Sequence, residues 1–373
     1  MDVALVHDYL TQRGGAERVV LAMLKAFPGA PLHTSLYDAD MTFPDFREAH
    51  VRTFVLNRVG PFRRNHRLAL PLLAPAFSVR LVNADVVVCS SSGWAHGVRT
   101  RGRKIVYCYS PARWLYQADR YLGRDNGNRL PRAALKLLAS PLQRWDRRAA
   151  RRADRYLTSS GEMQRQIRAV YGIDAEVLPP PLAVASNGSQ RRPDSLEPGY
   201  FLCVSRLLPY KNVAAVVDAF ARLPRDQLVI VGTGPEEHRL RRHATRNVRF
   251  LGVVSDEELR WLYRNTAGVV SASFEDYGLT PLEGASLGRP AAVLRWGGFL
   301  DTVVEGVTGV FFDRPEPTEI RTAVERLRRE DWSEGTLQQH AATFSEQAFV
   351  SRLREIVAEE AASASNREPS VVA

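Results

Sequence analysis

The sequence predicts an α/β protein of two doubly wound domains, each built on a parallel sheet. Three observations carry this. Short apolar runs rich in Val, Ile and Tyr recur along the chain with helical stretches between them, which is the order of βαβ units. The runs are apolar throughout, as strands buried on both faces must be. A polar stretch rich in Pro and Ser, VLPPPLAVASNGSQRRPDSLEPGY at 177–200, divides two such blocks of similar size.

In the first block, VALVH (3–7), DVVVCS (85–90), KIVYCY (104–109) and DRYLTSS (154–160) read as strands. In the second they are YFLCVS (200–205), QLVIVG (227–232), VRFLG (248–252), GVVSAS (268–273), AAVL (291–294) and GVFF (309–312). Helical stretches such as NVAAVVDAFARL and SDEELRWLYRNT separate them, and no short-period repeat interrupts the pattern. The expected division is a domain over 1–182, a linker over 183–198 and a second domain over 199–345. Residues 346–373 then form a helix that packs back toward the first domain, followed by a small, polar, frayed tail.

Composition bounds the function. The 373 residues are 45% hydrophobic, enough for two packed domains. No run of 18 apolar residues occurs, so no membrane-spanning helix is expected. The N-terminal MDVALVHDYL lacks the basic-then-apolar order of a secretory signal and reads as a first buried strand. Cys89, Cys108 and Cys203 lie far apart without metal spacing and are expected as free buried thiols of a cytoplasmic protein. The net charge of +10 is uneven: residues 1–182 hold 28 Lys+Arg against 15 Asp+Glu, and the remainder 23 against 26. Such asymmetry suits an anionic partner, whether membrane phospholipid, nucleic acid or a phosphorylated substrate. Only Lys25, Lys104, Lys136 and Lys211 are lysines, and an Arg-biased composition by itself also yields a basic chain.

Four stretches carry chemistry. In SFEDYGLTPLEGASLGRP (273–290), Thr280, Pro281 and Glu283 read as the cap, first and third residues of a helix, with Thr-x-x-Glu as a capping box. That arrangement leaves Glu275 unexplained. A helix start also offers free amides to an anion such as a diphosphate, and two flanking carboxylates accept hydrogen bonds from sugar hydroxyls. In SRLLPYKN (205–212), Arg206 and Lys211 follow a strand, where α/β folds bind ligands, and can clamp a diphosphate; ordinary surface cations fit the same turn. Gly232 and Gly234 of GTGPEE suit a turn beside a nucleotide or a tight turn into a helix. Gly14 and Gly15 of QRGGAERVV allow close approach of a ligand, or a plain flexible turn. Asp38-Ala39-Asp40 has the form of a metal motif but lies in a loop far from the others and reads as structural.

Taken together, GGAER, SRLLPYKN, GTGPEE and E-DYGLTPL-E resemble the retaining nucleotide-sugar glycosyltransferases of family 4, over nearly the whole chain. The resemblance implies the GT-B fold, two Rossmann-like domains whose parallel sheets face a central cleft. SSSGWAHGV (90–98) and YCYSPARWLY (107–116) are similar to bacterial mannosyltransferases of exopolysaccharide and O-antigen synthesis. By this resemblance Arg206 and Lys211 hold the donor diphosphate and stabilise the leaving group, Glu275 sits at the donor sugar, and Glu283 binds the ribose. Gly278, Leu279 and Thr280 meet phosphate and sugar hydroxyls through their backbone. Gly232 and Gly234 lie beside the nucleotide, Val253 and Val254 lie near the base, and Gly14 and Gly15 approach the donor from the other domain.

One departure stands out. Tyr109-Ser110-Pro111 replaces a His-Thr-Pro whose His lies at the transferred sugar, so either Tyr109 takes a binding role or His96 or His7 assists. The resemblance implies transfer of a hexose, with mannose from GDP-mannose favoured, to a lipid-linked or glycan acceptor in cell-surface polysaccharide or glycolipid synthesis. It implies no cofactor and no metal. A lipid-linked acceptor implies a cytoplasmic protein peripheral on the inner face of the plasma membrane; the Arg-bearing apolar stretches 58–77 and 130–152 suit a face on anionic lipid, or equally apolar residues packed into the core beneath solvated arginines. The competing readings are a GT-B sugar-nucleotide epimerase or phosphorylase, a basic nucleic-acid-binding protein and a non-catalytic GT-B subunit. No nucleic-acid-binding module is legible, so nucleic acid is not an expected partner.

Overall fold

Every strand pairing of the computed structural model, which describes residues 1–116, 129–182 and 188–365, is parallel. The chain divides into two units. One holds residues 1–159, 163–181 and the C-terminal helix from Glu346; the other holds 160–162 and 182–345.

In the first unit the strands are β1 (Val3–His7), β2 (Leu32–Thr34), β3 (Val51–Thr53), β4 (Val86–Ser91), β5 (Arg103–Cys108), β6 (Arg155–Thr158) and β7 (Glu176–Val177). Their order in the sheet is β3-β2-β1-β4-β5-β6-β7. Alternate residues of the central strands serve opposite cores. Leu5, Val86, Val88, Ile105 and Tyr107 pack with Val19, Val20 and Met23 of helix α1 (Gly15–Ala26) and with Leu353, Ile356 and Val357 of the C-terminal helix Glu346–Ser365. Ala4, Val6, Val87, Cys89, Val106 and Cys108 face Leu73 and Phe77 of helix α2 (Leu70–Val79), together with Trp94, Ile167 and Tyr171. Two covered faces explain why these strands read as unbroken apolar runs. The C-terminal helix is also held by ion pairs, from Lys25 to Glu346 at 2.8 Å and from Arg103 to Glu360 at 2.6 Å.

In the second unit the strands are β8 (Phe201–Val204), β9 (Leu228–Val231), β10 (Val248–Gly252), β11 (Gly268–Ser271), β12 (Ala291–Leu294) and β13 (Gly309–Phe312), ordered β10-β9-β8-β11-β12-β13. Its core joins Leu202, Val229, Ile230, Val270 and Val293 to residues of helix α3 (Val213–Phe220), helix α4 (Asp256–Asn265) and the helix Pro317–Arg329. Helix α4 opens with a complete capping box: Glu258 N donates to Ser255 Oγ at 3.2 Å and Ser255 N to Glu258 Oε2 at 2.9 Å. Helix α5 (Leu279–Ser286) follows β11.

Two features differ from the sequence reading. Strands β2, β3 and β7 are additions; they are two or three residues long and include His33, Arg52 and Glu176, so no apolar run marks them. Residues 188–198, expected as part of the linker, are fastened to the second unit. Leu196 is buried in its core, Arg191 N donates to Glu257 O at 3.2 Å, and Arg249 reaches the carbonyls of Asp194 and Ser195 at 2.6 Å. Residues 183–187 of that linker, and the tail 366–373 expected to fray, lie outside the described residues.

Strand order reverses direction once in each sheet, between β1 and β4 and between β8 and β11. In open α/β sheets the crevice beyond the strand ends at such a point is where ligands bind. In the second unit SRLLPYKN leaves β8 and FEDYG leaves β11, so the two charged stretches flank one reversal.

Candidate functional site

The loop after β8 is shaped by its contacts. Asn212 adopts a left-handed conformation with φ of 52°, which Asn tolerates better than most residues, and its Nδ2 donates to Ala272 O at 2.9 Å. That bond ties the loop to the end of β11. The preceding turn Pro209–Lys211 then brings the Lys211 ammonium to Glu275 Oε1, which also accepts from Ser273 Oγ at 3.0 Å. Lys211 Nζ lies 5.0 Å from the Tyr210 ring centre. Arg206 is exposed, and its guanidinium has no hydrogen bond or ion pair among the described residues. The geometry thus joins Lys211 and Glu275 directly and leaves Arg206 available on the same loop.

The glycines of GTG press against this loop. A Cβ on Gly232 would meet Ser205 O at 2.0 Å and one on Gly234 would meet Leu207 O at 2.4 Å. Leu207 N donates to Thr233 O at 3.0 Å, and Gly232 N to Gly252 O at 2.7 Å, which sets Val253 and Val254 beside the same turn. Val253 is exposed, while Val254 is half-buried against the core.

The start of α5 corrects the capping-box expectation. The helix begins at Leu279 after Gly278, whose φ of 86° is left-handed, and no side chain caps it. Thr280 lies inside the first turn. The carboxylate of Glu283 does not reach back to a cap; it is buried and accepts from Tyr263 OH of α4 at 2.6 Å. Burial, then the carboxylate beside it, pushes the Tyr263 phenol well up, so Tyr263 stays a donor. Leu279 and Thr280 are half-buried at the helix start.

Sequence reasoning missed what supports this loop from behind. Gly298 N donates to Glu275 O at 2.9 Å, and a Cβ on Gly298 would lie 2.1 Å from Tyr277 Cα. The Gly297-Gly298 pair after β12 therefore sets the Glu275 backbone, and a glycine pair just past a strand was the available signal.

In the first unit Gly14 caps α1, and a Cβ there would meet Glu17 Oε2 at 2.6 Å; Gly15 opens onto free space. A polar chain runs beside them. The Tyr109 hydroxyl donates to Ala16 O at 3.1 Å and lies 3.0 Å from Ser90 Oγ, which is 2.9 Å from His7 Nδ1. Since Tyr109 commits its proton to Ala16, Ser90 donates to Tyr109 and accepts from His7. His7 Nε2 faces Glu17 Oε1 at 3.8 Å. Burial opposes ionisation of Glu17, yet His7 beside it holds the carboxyl below its ordinary range, while burial pushes the Tyr109 phenol up.

His96 meets a different fate from the one expected. It is buried, with Nδ1 2.9 Å from Ser91 Oγ and Nε2 3.0 Å from Asp146 Oδ1, and its ring packs against Trp145. Its Nδ1 bonds within the interior and its Nε2 faces the buried Asp146 carboxylate, so His96, 2% exposed, supports the turn after β4 and is not open to a substrate. His7, not His96, shares a network with Tyr109. Trp114 of YCYSPARWLY lies outside the residues whose side chains are described.

Among the described residues no group of three or more His, Cys, Asp or Glu side chains could hold a metal ion, and no helix is long and apolar enough to cross a membrane. The three cysteines are free and buried.

Two parallel-sheet α/β units, each with one strand-order reversal, match the GT-B class of glycosyltransferases. The fold matches Anabaena Alr3699/HepE, solved in complex with UDP, with a TM-score of 0.71 over 96% of this chain and 100% of that one, at 17% identity. Residues 13–185 match Glycosyltransferase Family 4 and residues 189–348 match Glycosyl transferases group 1. The chain belongs to the GT-B glycosyltransferases that join these two regions. It is 33% identical to the glycogen synthase of Mycobacterium tuberculosis H37Rv over 43% of its length, spanning 42% of that protein. It is 26% identical to human alpha-1,3/1,6-mannosyltransferase ALG2 over 91% of this chain and 92% of that one.

Proposed function

We propose that this protein is a retaining hexosyltransferase that moves a sugar, mannose from GDP-mannose foremost, from a nucleotide-sugar to a lipid-linked or glycan acceptor in cell-surface polysaccharide or glycolipid synthesis. One observation carries the reading: at the β8/β11 reversal the Lys211 ammonium is paired with Glu275, and the Arg206 guanidinium is exposed on the same loop without a partner among the described residues. The mannosyltransferase name of the human relative supports mannose; the UDP complex of the Anabaena protein makes uracil the competing base.

The chemistry follows from charge. Breaking the bond between the anomeric carbon and the diphosphate oxygen leaves positive charge on the ring and negative charge on the phosphate. Arg206, Lys211 and the amides that open α5 stabilise the second, and Glu275 stabilises the first. A diphosphate competes with Glu275 for Lys211, so donor binding loosens the resting ion pair and frees the carboxylate for the sugar. The acceptor hydroxyl oxygen forms the new bond to the anomeric carbon on the face the diphosphate leaves, and its proton passes to the departing phosphate oxygen. No side-chain nucleophile is required. The two cations supply the charge that a metal ion would otherwise bring. The acceptor is taken up at the inner face of an anionic membrane.

A thermal-shift panel of GDP, UDP, ADP and dTDP with their sugars tests the donor, since a ligand that binds only the native state raises Tm by mass action. One nucleotide should stabilise the wild type, and Arg206→Ala or Lys211→Ala should lose that shift while remaining folded. The anomeric proton of the first product, read by NMR, then tests retention. If both variants keep the full nucleotide shift, the site is misassigned.

A further inference from the structure

A second group of basic side chains sits in the first unit, on and beside β2 and β3. His33 is on β2 and Arg52 beside it on β3, in register with each other and with Val6 of β1. Arg80 follows the end of α2, and its Nη2 lies 3.4 Å from His33 Nδ1. The Arg80 guanidinium stacks 5.4 Å from the Phe54 ring centre. Arg52 Nε donates to His50 Nε2 at 3.4 Å. None of the four side chains has an acidic partner among the described residues.

Two features make this more than an Arg-rich surface. The Nε of Arg80 is buried and has no hydrogen-bond partner among the described residues, an arrangement native proteins rarely leave unfilled. His33 is only 4% exposed; burial first, then the neighbouring basic side chains, Arg80 foremost, hold its ring neutral down to about pH 4. A solvated patch of ordinary arginines does not bury a histidine at its centre, and like charges without counter-charge oppose folding.

We propose that His33, Arg52, Arg80 and His50 form a binding site for a phosphate group. Forked guanidiniums match phosphate oxygens in geometry and charge, and the imidazole adds a donor that becomes cationic once the anion is present. Val79 and Leu81, which flank Arg80 in sequence, and Val55, next to Phe54, are exposed apolar side chains. Such apolar neighbours suit the headgroup of an anionic lipid; a small phosphorylated compound offers the same phosphate chemistry. The site makes no use of the donor-binding residues and stands whether or not the hexosyltransferase reading does.

The test is NMR of the histidine ring protons of the full chain in an Arg206→Ala background, titrated with inorganic phosphate and, at matched ionic strength, with chloride. Phosphate should shift the His33 signal saturably and raise its apparent pKa by one unit or more, and Arg80→Gln should abolish the effect. Because Arg80 also packs on Phe54, Arg52→Gln on the exposed strand serves as the second variant and should weaken binding several-fold. An equal, non-saturating response to chloride, or full phosphate binding in both variants, would overturn the site. Vesicles of phosphatidylcholine with and without phosphatidic acid separate the sources. Sedimentation that needs phosphatidic acid and Arg80 points to a lipid headgroup; saturable phosphate binding without Arg80-dependent sedimentation points to a soluble phosphate compound. Either outcome upholds the site.

Discussion

Lys211 and Glu275 pair across the reversal between β8 and β11, with the ammonium bound to the same carboxylate oxygen, Oε1, that accepts from the Ser273 hydroxyl. The shared oxygen fixes the carboxylate while leaving Oε2 outside both of these bonds. Replacing Glu275 by Gln keeps the shape and the acceptor but removes the charge proposed to face the reacting sugar. Glu275→Gln should lower kcat about 100-fold, the order seen when one preorganised electrostatic group is lost, with donor KM changed by less than about threefold. Initial rates with the nucleotide-sugar chosen by the thermal-shift panel check this. Equal losses in kcat and in donor affinity would assign Glu275 to ground-state binding instead.

The Tyr263–Glu283 pair makes a second expectation. Tyr263→Phe removes the phenol that donates to Glu283 Oε2 in a buried setting. Loss of a buried hydrogen bond to a carboxylate costs about 1–3 kcal/mol, so urea midpoints should fall accordingly. If Glu283 also binds ribose, the same variant should weaken nucleotide diphosphate binding, because the carboxylate loses the phenol that orients its Oε2. Calorimetry with the selected nucleotide separates the two effects: reduced stability with unchanged affinity would leave Glu283 a purely structural residue.

What could be read ahead of the structure follows from range. Strands such as VALVH and AAVL were legible because burial on both faces makes every position apolar. Leu32–Thr34 was not, because buried His33 and Thr34 interrupt its pattern. Lys211 and Glu275 were legible as candidates by their places after strands, but their contact spans 64 residues and nothing local announces it. The capping box failed for a related reason. Thr280 and Glu283 have the right spacing, but Gly278 starts the helix earlier and Tyr263, 20 residues away, claims the carboxylate. The box at Ser255 and Glu258 has the same signature and does form. There the distant cation, Arg191, meets Oε1 of Glu258 at 3.2 Å and leaves Oε2 to the Ser255 amide.

Metal removal gives a third expectation. Arg206, Lys211 and the amides at the start of α5 are proposed to supply the positive charge that the departing diphosphate needs. Transfer should then proceed at an unchanged rate after dialysis against EDTA, and added Mg²⁺ or Mn²⁺ should alter kcat by less than about twofold. A rate that vanishes with EDTA and returns with one divalent ion would show that the two cations do not suffice.

Stability should depend on pH through His33. Unfolded, its ring takes a proton near its ordinary 6.5; folded, burial and the neighbouring basic side chains Arg80, Arg52 and His50 lower this to about 4. Between these values the unfolded chain binds more protons, so His33 destabilises the fold progressively as pH falls from about 6.5 to about 4, and has no such effect above that window. The slope from this one group is at most about 1.4 kcal/mol per pH unit. Urea midpoints measured from pH 7 to pH 4 on the wild type and on His33→Gln should diverge in slope by up to that amount, the variant being less sensitive to acid. Phosphate should flatten the wild-type curve and leave the variant's almost unchanged, because an anion among the cations lets the folded ring accept its proton. Parallel curves for the two proteins would show that His33 is already free to titrate in the fold.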